Sequence, residues 1–121
     1  MNKNFLKKFK LPKDQLKPLV GNLGSCLASD AITVDGEKIG WMYREEADNN
    51  IDSGWRFFSG SEDEQYTENP DNFSIYDVNT IANYDQSIIP HLEYPVGSAF
   101  EWDQKSEGWR KVIDSNFNSI K

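Results

Sequence analysis

The sequence is poor in the two residue types that most often carry nucleophilic and metal chemistry, since it contains one cysteine, Cys26, and one histidine, His91. One cysteine excludes an internal disulfide and a zinc site built on several thiolates. The two residues lie 65 positions apart with no local motif around them, so a nucleophile–base pair is not indicated. We expect Cys26 to be a small buried hydrophobic residue and His91 to be a satisfied structural side chain.

Long apolar runs and glycine-rich phosphate motifs are missing as well. The first 19 residues lack the apolar core of a signal peptide, and no run approaches the roughly 18 apolar residues of a membrane span. Neither the G-x-x-x-x-G-K-S/T pattern nor the G-x-G-x-x-G pattern occurs. These absences and the single thiol predict a cytoplasmic protein with no cofactor and no membrane partner.

Positive charge is scarce outside the first 18 residues. That segment carries six lysines and one acid, whereas the rest of the chain carries seven basic and nineteen acidic residues. An acidic body repels nucleic acid phosphates and attracts basic partners. We therefore predict no nucleic-acid partner, and we interpret the lysine-rich start as a solvated arm.

Aromatic residues are plentiful, with four Trp, five Tyr and seven Phe in 121 residues. They supply enough burial for one folded domain. The patterns predict a single α+β domain with a mostly antiparallel sheet of five or six strands and two or three short helices. Strands are expected near 25–29, 38–45, 54–60, 73–76, 97–103 and 109–113, and helices at 62–67 and 78–84. The chain divides into an arm (1–23), the domain (24–113) and a tail (114–121).

Two strands form the centre of this prediction. The segment Lys38–Glu45 alternates with apolar residues on both faces, which predicts a central strand covered on both sides. It pairs with the strand at 54–60 in a hairpin that carries a long acidic loop. Arg44 and Arg56 are expected to pair with neighbouring acids. Ser61 followed by Glu64 matches the capping box of a helix start.

Both ends of the chain leave alternatives open. Phe5, Leu6 and Phe9 have helical spacing and predict a short helix before Pro12. At the other end, residues 98–113 are expected to form a hairpin. A C-terminal helix is the alternative, because Trp109, Val112, Ile113, Phe117 and Ile120 also fit helical spacing.

Two acidic loops flank the strand at 54–60. They hold the candidate partner-binding residues, which are Glu45, Glu46, Asp48, Asp52, Glu62, Asp63 and Glu64. The segment Asp48–Gly54 has some of the acid spacing of a calcium loop but lacks the terminal glutamate of an EF-hand, so no metal is predicted. Paired carboxylates also serve acid–base hydrolysis, although a catalytic acid needs burial to raise its pKa. Solvated loops and helix-start electrostatics are the simpler interpretation of the same residues.

Several motifs resemble the immunity protein 33-like family of small bacterial domains. They are W-M-Y-R-E-E (41–46), D-S-G-W-R-F-F-S-G (52–60), E-D-E-Q-Y (62–66), N-P-D-N-F-S-I-Y-D-V-N-T-I (69–81) and Y-P-V-G-S-A-F-E (94–101). The resemblance covers about Ser25 to Glu101. It implies an immunity protein that binds and neutralises a cognate toxin of a polymorphic toxin system. It brings no catalytic or ligand residues with it.

Three hypotheses follow. A binding module would present the seven acids to a basic toxin and would perform no catalysis. A carboxylate-dependent hydrolase would need a concave pocket with two carboxyl groups of raised pKa. A regulatory adaptor of the same fold would bind a partner other than a toxin.

Overall fold

Between residues 7 and 112, six short strands form one sheet, as the alternating patterns predict. The computed structural model describes residues 7–112. The strands are β1 (Ser25–Ser29), β2 (Trp41–Arg44), β3 (Asp52–Phe58), β4 (Phe73–Asp77), β5 (Ala99–Asp103) and β6 (Gly108–Lys111). Their order in the sheet is β4-β1-β3-β2-β5-β6, and among these six described strands only the neighbours β1 and β3 run parallel. The predicted α+β class with a mostly antiparallel sheet is confirmed.

The helices are short and lie in the connections between the strands. They are α1 (Asp30–Thr33), α2 (Glu64–Thr67) and α3 (Val78–Tyr84), with 3-10 turns at Lys13–Gln15, Pro70–Asn72 and Gln86–His91. Among residues 7–112, no helix has the length and apolar character that a membrane span requires.

The structure tests the predictions made for the two ends of the chain, as far as the described residues reach. Strands β5 and β6 pair antiparallel with Trp102 opposite Trp109, so the hairpin is confirmed as far as residue 112. The rest of the predicted strand and the tail lie outside the described residues. The predicted N-terminal helix also falls partly there, and the described residues between Lys7 and Pro12 are not helical.

One face of the sheet carries the hydrophobic core. Phe57 of β3 lies between Ala28 of β1 and Met42 of β2, and each is 0 % exposed. Helix α3 and the turn at Gln86–His91 cover this face. The other buried apolar members of the cluster are Cys26, Ile32, Ile39, Trp55, Val78, Ile81, Ala82, Ile88, Leu92 and Phe100.

The opposite face is only partly covered. Trp41 and Tyr43 of β2 point there and are partly exposed, whereas Met42 between them is fully buried. The prediction that β2 is covered on both sides is therefore wrong. The reason is that α1, α3 and the turn at Gln86–His91 all pack on the core face. Within residues 7–112, this second face is bordered by α2, by the turn after it and by Phe9.

Candidate functional site

The loop between β2 and β3 is the protruding acidic loop that the sequence predicts. Its backbone is fixed by its own side chains, because Asn49 Oδ1 accepts from the amides of Ile51 and Asp52 at 3.0 and 3.1 Å. Gly54 has a φ of +90°, and a Cβ there would collide with the carbonyl oxygen of Glu45. The hairpin therefore holds one defined loop conformation.

Arg56 is the centre of this loop. Its side chain is 6 % exposed and donates from Nε to Glu45 Oε2 at 2.6 Å. Both Nη atoms reach Asp52, at 3.0 and 2.8 Å, in a bidentate pair. Asp48 Oδ2 lies 3.7 Å from Nη2. The predicted pairing of Arg56 with acids is confirmed, and the calcium-like acid spacing is explained by a guanidinium in the place of a metal.

The charges in this cluster stabilise one another. The hydrogen bonds from Arg56 hold the pKa of the Asp52 carboxyl well below its usual range, with further bonds from the amides of Asp48 and Gly54. The hydrogen bond to Asp52 in turn raises the pKa of Arg56 further. Asp52 and Arg56 therefore stay ionised at neutral pH. One guanidinium lies beside three carboxyl groups, those of Glu45, Asp48 and Asp52.

Arg44 behaves differently from the prediction. It donates to the carbonyl oxygens of Ser53 at 2.9 Å and Tyr94 at 2.7 Å, and within residues 7–112 it forms no salt bridge. The expected acid pairing is wrong for this arginine. Arg44 alternates with Tyr43 and so leaves the sheet on the side of Trp55, where backbone carbonyls are the nearby acceptors.

The second acidic segment follows β3. Glu62 accepts from the amides of Ser59 and Gly60, each at 2.9 Å. Burial alone raises the pKa of Glu62, but hydrogen bonds from Ser29 and these amides outweigh it, so the pKa is lowered. Because Glu62 folds back on this turn, α2 starts at Glu64 and its cap is Asp63, which accepts from the Tyr66 amide at 2.8 Å. The predicted Ser61–Glu64 capping box is therefore wrong.

The structure thus sorts the seven candidate residues into two groups at opposite ends of β3, about 20 Å apart along a seven-residue strand. Asp52 and Glu62 are engaged in holding turns. Glu45 is shared between Arg56 and solvent, with a side chain 38 % exposed. Exposed carboxylates remain at Glu46, Asp48, Asp63 and Glu64.

Between these groups lies an apolar surface, which the predicted covering of β2 on both sides does not indicate. We call it the aromatic face, and it consists of Leu27, Trp41, Tyr43, Phe58, Phe73 and Ile75. Tyr43 stacks on Phe58 with ring centroids 6.0 Å apart, and Phe58 meets Phe73 edge-on at 5.7 Å. The alternation of apolar residues in β2 and β3 is the signal for this face, and the same alternation also fits a second buried face.

The remaining candidates for chemistry are inert in this setting. Cys26 is buried as expected, and burial raises the pKa of its thiol far above its usual range. His91 packs on Phe100 at 4.7 Å, and its Nδ1 has no hydrogen-bond partner among residues 7–112, so the expectation of a satisfied side chain is wrong for that atom. No group of three or more metal-ligating side chains occurs in the same described range.

Comparison with known proteins identifies a family. Residues 26–113, well over half of the chain, match the family model of the immunity protein Imm33 domain. Neither the curated proteins nor the solved structures contain a significant match. The matched region runs from β1 through β6 and includes the Arg56 cluster, the second acidic segment and the aromatic face.

Proposed function

The chain belongs to the Imm33 family of immunity proteins, and from this premise we propose that it binds and neutralises a cognate toxin of a bacterial polymorphic toxin system. The family match gives the immunity role. The observation that carries the binding mode is the acidic loop, which is fixed around the buried Arg56 before any partner arrives.

A fixed loop supports tight binding because little conformational freedom is lost on association. Four acids and no basic residue lie between Glu45 and Asp52, and Arg56 offsets one of these charges. The carboxylates of Glu46 and Asp48 therefore face solvent with a net negative potential. Such a potential steers a basic partner and raises the association rate. The proposed toxin accordingly presents a basic surface.

Neutralisation is proposed to proceed by occlusion, without a chemical step, in the cytoplasm. The pKa values of Asp52 and Glu62 are both lowered, which is opposite to what a general acid at neutral pH requires. The Cys26 thiol stays protonated because it is buried. A free cysteine is compatible with a reducing compartment.

The test is coexpression of the protein with the toxin encoded beside it, followed by binding kinetics of the purified pair at low and high salt. Growth of the coexpressing cells and a saturable complex are expected. In the variant Glu46→Gln/Asp48→Asn the association rate should fall roughly threefold to tenfold at low salt, and its salt dependence should flatten. The proposed role is wrong if the wild-type protein neither protects cells nor binds the toxin.

A matched control removes the same charge elsewhere. Asp14 and Glu93 are exposed and lie outside both acidic segments. The variant Asp14→Asn/Glu93→Gln should associate at nearly the wild-type rate. Equal slowing in both variants would assign the effect to net charge rather than to the loop.

A further inference from the structure

The aromatic face contains an open apolar groove of about 990 Å³. Its lining includes Leu27, Tyr43, Phe58, Phe73 and Ile75. Ile75 lies in the middle of β4 and is 74 % exposed, although β-branched residues in strands usually pack against a neighbour. An apolar concavity of this size on a small protein marks an interaction site more often than bare surface.

The groove continues across the sheet. A second depression of about 570 Å³ is lined by Trp41, Glu62 and Glu101, and it shares Tyr43, Phe58 and Thr67 with the first. The floor is the sheet itself, and the ring contacts of Tyr43, Phe58 and Phe73 hold its side chains in place. A floor of this length suits a polypeptide segment that places more than one side chain on it.

Negative charge borders the groove on two sides. The wall from Ser61 to Asn72 carries five acids and no basic residue, and Thr67 and Pro70 of this wall line the groove. At the other border, Leu27 and Ile75 also line a cavity of about 170 Å³ together with Glu45, Asp48 and Arg56. An apolar floor therefore lies directly beside the exposed carboxylate of Asp48, whose side chain is 84 % exposed.

From this juxtaposition we propose that the aromatic face is the toxin-docking surface. It takes a segment whose large apolar side chain packs on Ile75 and Leu27 while an adjacent lysine or arginine reaches Asp48. The inference rests on the proposed function, for which it names the surface and the chemistry of the partner segment. A phosphate-bearing partner is disfavoured by the acidic borders.

The test compares two exposed β-branched side chains. Ile75 lies on the aromatic face, and Val96, 46 % exposed, lies in the turn before β5, outside the aromatic face and both acidic segments. In the full-length protein, Ile75→Thr should raise the Kd for the toxin about tenfold, because burial of one such side chain on the partner is lost. Val96→Thr should change the Kd by less than about twofold, as expected for a side chain that the partner does not bury. Both variants keep a β-branched side chain at an exposed position, so the thermal unfolding midpoint should stay near that of the wild type.

A second measurement uses the unmodified protein. Amide hydrogen exchange of the complex should slow in β4 and in the segment from Tyr66 to Phe73, and it should stay unchanged in α3. If the wild type binds and protects but Ile75→Thr binds equally well and β4 gains no protection, the docking surface is wrong and the immunity role stands. If the wild type does not bind at all, both proposals fail.

Other occupants of the groove give distinct outcomes. A dimer in solution that Ile75→Thr converts to a monomer would overturn the proposal in favour of a second copy. A gain in toxin affinity on Phe5→Ser, together with wild-type affinity of Ile75→Thr, would overturn it in favour of the start of the chain itself.

Discussion

Phe57 and Phe58 are neighbours in β3 and point to opposite faces of one sheet. Phe57 is fully buried between β1, β2 and the helical layer, whereas Phe58 is partly exposed and borders both depressions of the aromatic face. The two faces therefore differ in what they contribute. The core face buries its side chains and stabilises the fold, whereas the aromatic face presents large side chains at the surface of the sheet.

The largest difference between the faces is expected from truncating these two rings. Phe57→Ala removes a close-packed side chain and leaves a cavity, so the free energy of unfolding should fall by about 4 kcal/mol. Phe58→Ala should cost only about 1 kcal/mol, because its ring is partly hydrated in the folded state. Urea unfolding of the two variants measures both values. If both variants lost a similar free energy of unfolding, the aromatic face would stabilise the fold as much as the core does.

The Arg56 cluster lies on the side of the aromatic face and yet is buried, so it tests whether that side of the sheet also contributes to stability. Arg56→Met removes the cation while keeping an apolar stem of similar length. Asp52, whose side chain is 7 % exposed, and Glu45 then lose their partner. The free energy of unfolding should fall by about 3 kcal/mol, which is the usual cost of leaving a buried charge without its partner.

The control for Arg56→Met is Arg44→Met, which removes an arginine that forms no salt bridge within residues 7–112. Arg44 donates its two hydrogen bonds to neutral backbone carbonyls, so its removal leaves no carboxylate without a cation. It should therefore cost clearly less than Arg56→Met in the same urea titration. Equal losses would mean that the carboxylate cluster adds nothing beyond ordinary hydrogen bonding.

The sequence predicts those parts of the fold that depend on local pattern. The strand at 25–29 and the helix at 78–84 are confirmed residue for residue, because alternation and helical spacing are properties of the segment itself. The hairpin loop and its charge were predictable for the same reason.

The wrong predictions concern contacts that depend on a distant part of the chain or on a neighbouring turn. Whether β2 is covered on its second face depends on where α1 and α3 pack, and the acceptors of Arg44 come from residue 94 as well as from the hairpin. The start of α2 was missed because Glu62 binds the turn before it rather than the helix. The assignment of the seven acids to partner binding stays a prediction. The structure separates them into two groups.

A smaller effect is expected in the pH dependence of stability, to which the ion pair of Arg56 and Asp52 contributes. Because Arg56 lowers the pKa of Asp52, this pair stabilises the fold above the ordinary carboxyl pKa of about 4, and the contribution is lost as the pH falls further. Stability should therefore drop from pH 4 downwards, by about 2 kcal/mol attributable to this residue. Asp52→Asn should flatten that part of the profile. Unfolding by urea at a series of acid pH values gives the slope, and an unchanged slope would contradict the assignment.

The smallest expected effect concerns a polar atom on the core face. His91 packs on Phe100, its Nδ1 is buried without a hydrogen-bond partner in the described chain, and burial lowers its pKa. Because the folded state disfavours protonation, stability should be complete above the unfolded pKa of about 6.5 and should fall as the pH drops below it. His91→Phe keeps a ring against Phe100 and removes the unpaired nitrogen, so it should raise the unfolding free energy by about 1 kcal/mol at neutral pH. Its advantage should grow near pH 5, because the unfolded wild-type imidazole binds a proton there that the folded state disfavours. Thermal unfolding at both pH values measures this, and a variant less stable than the wild type at both would mean that the nitrogen is solvated in solution.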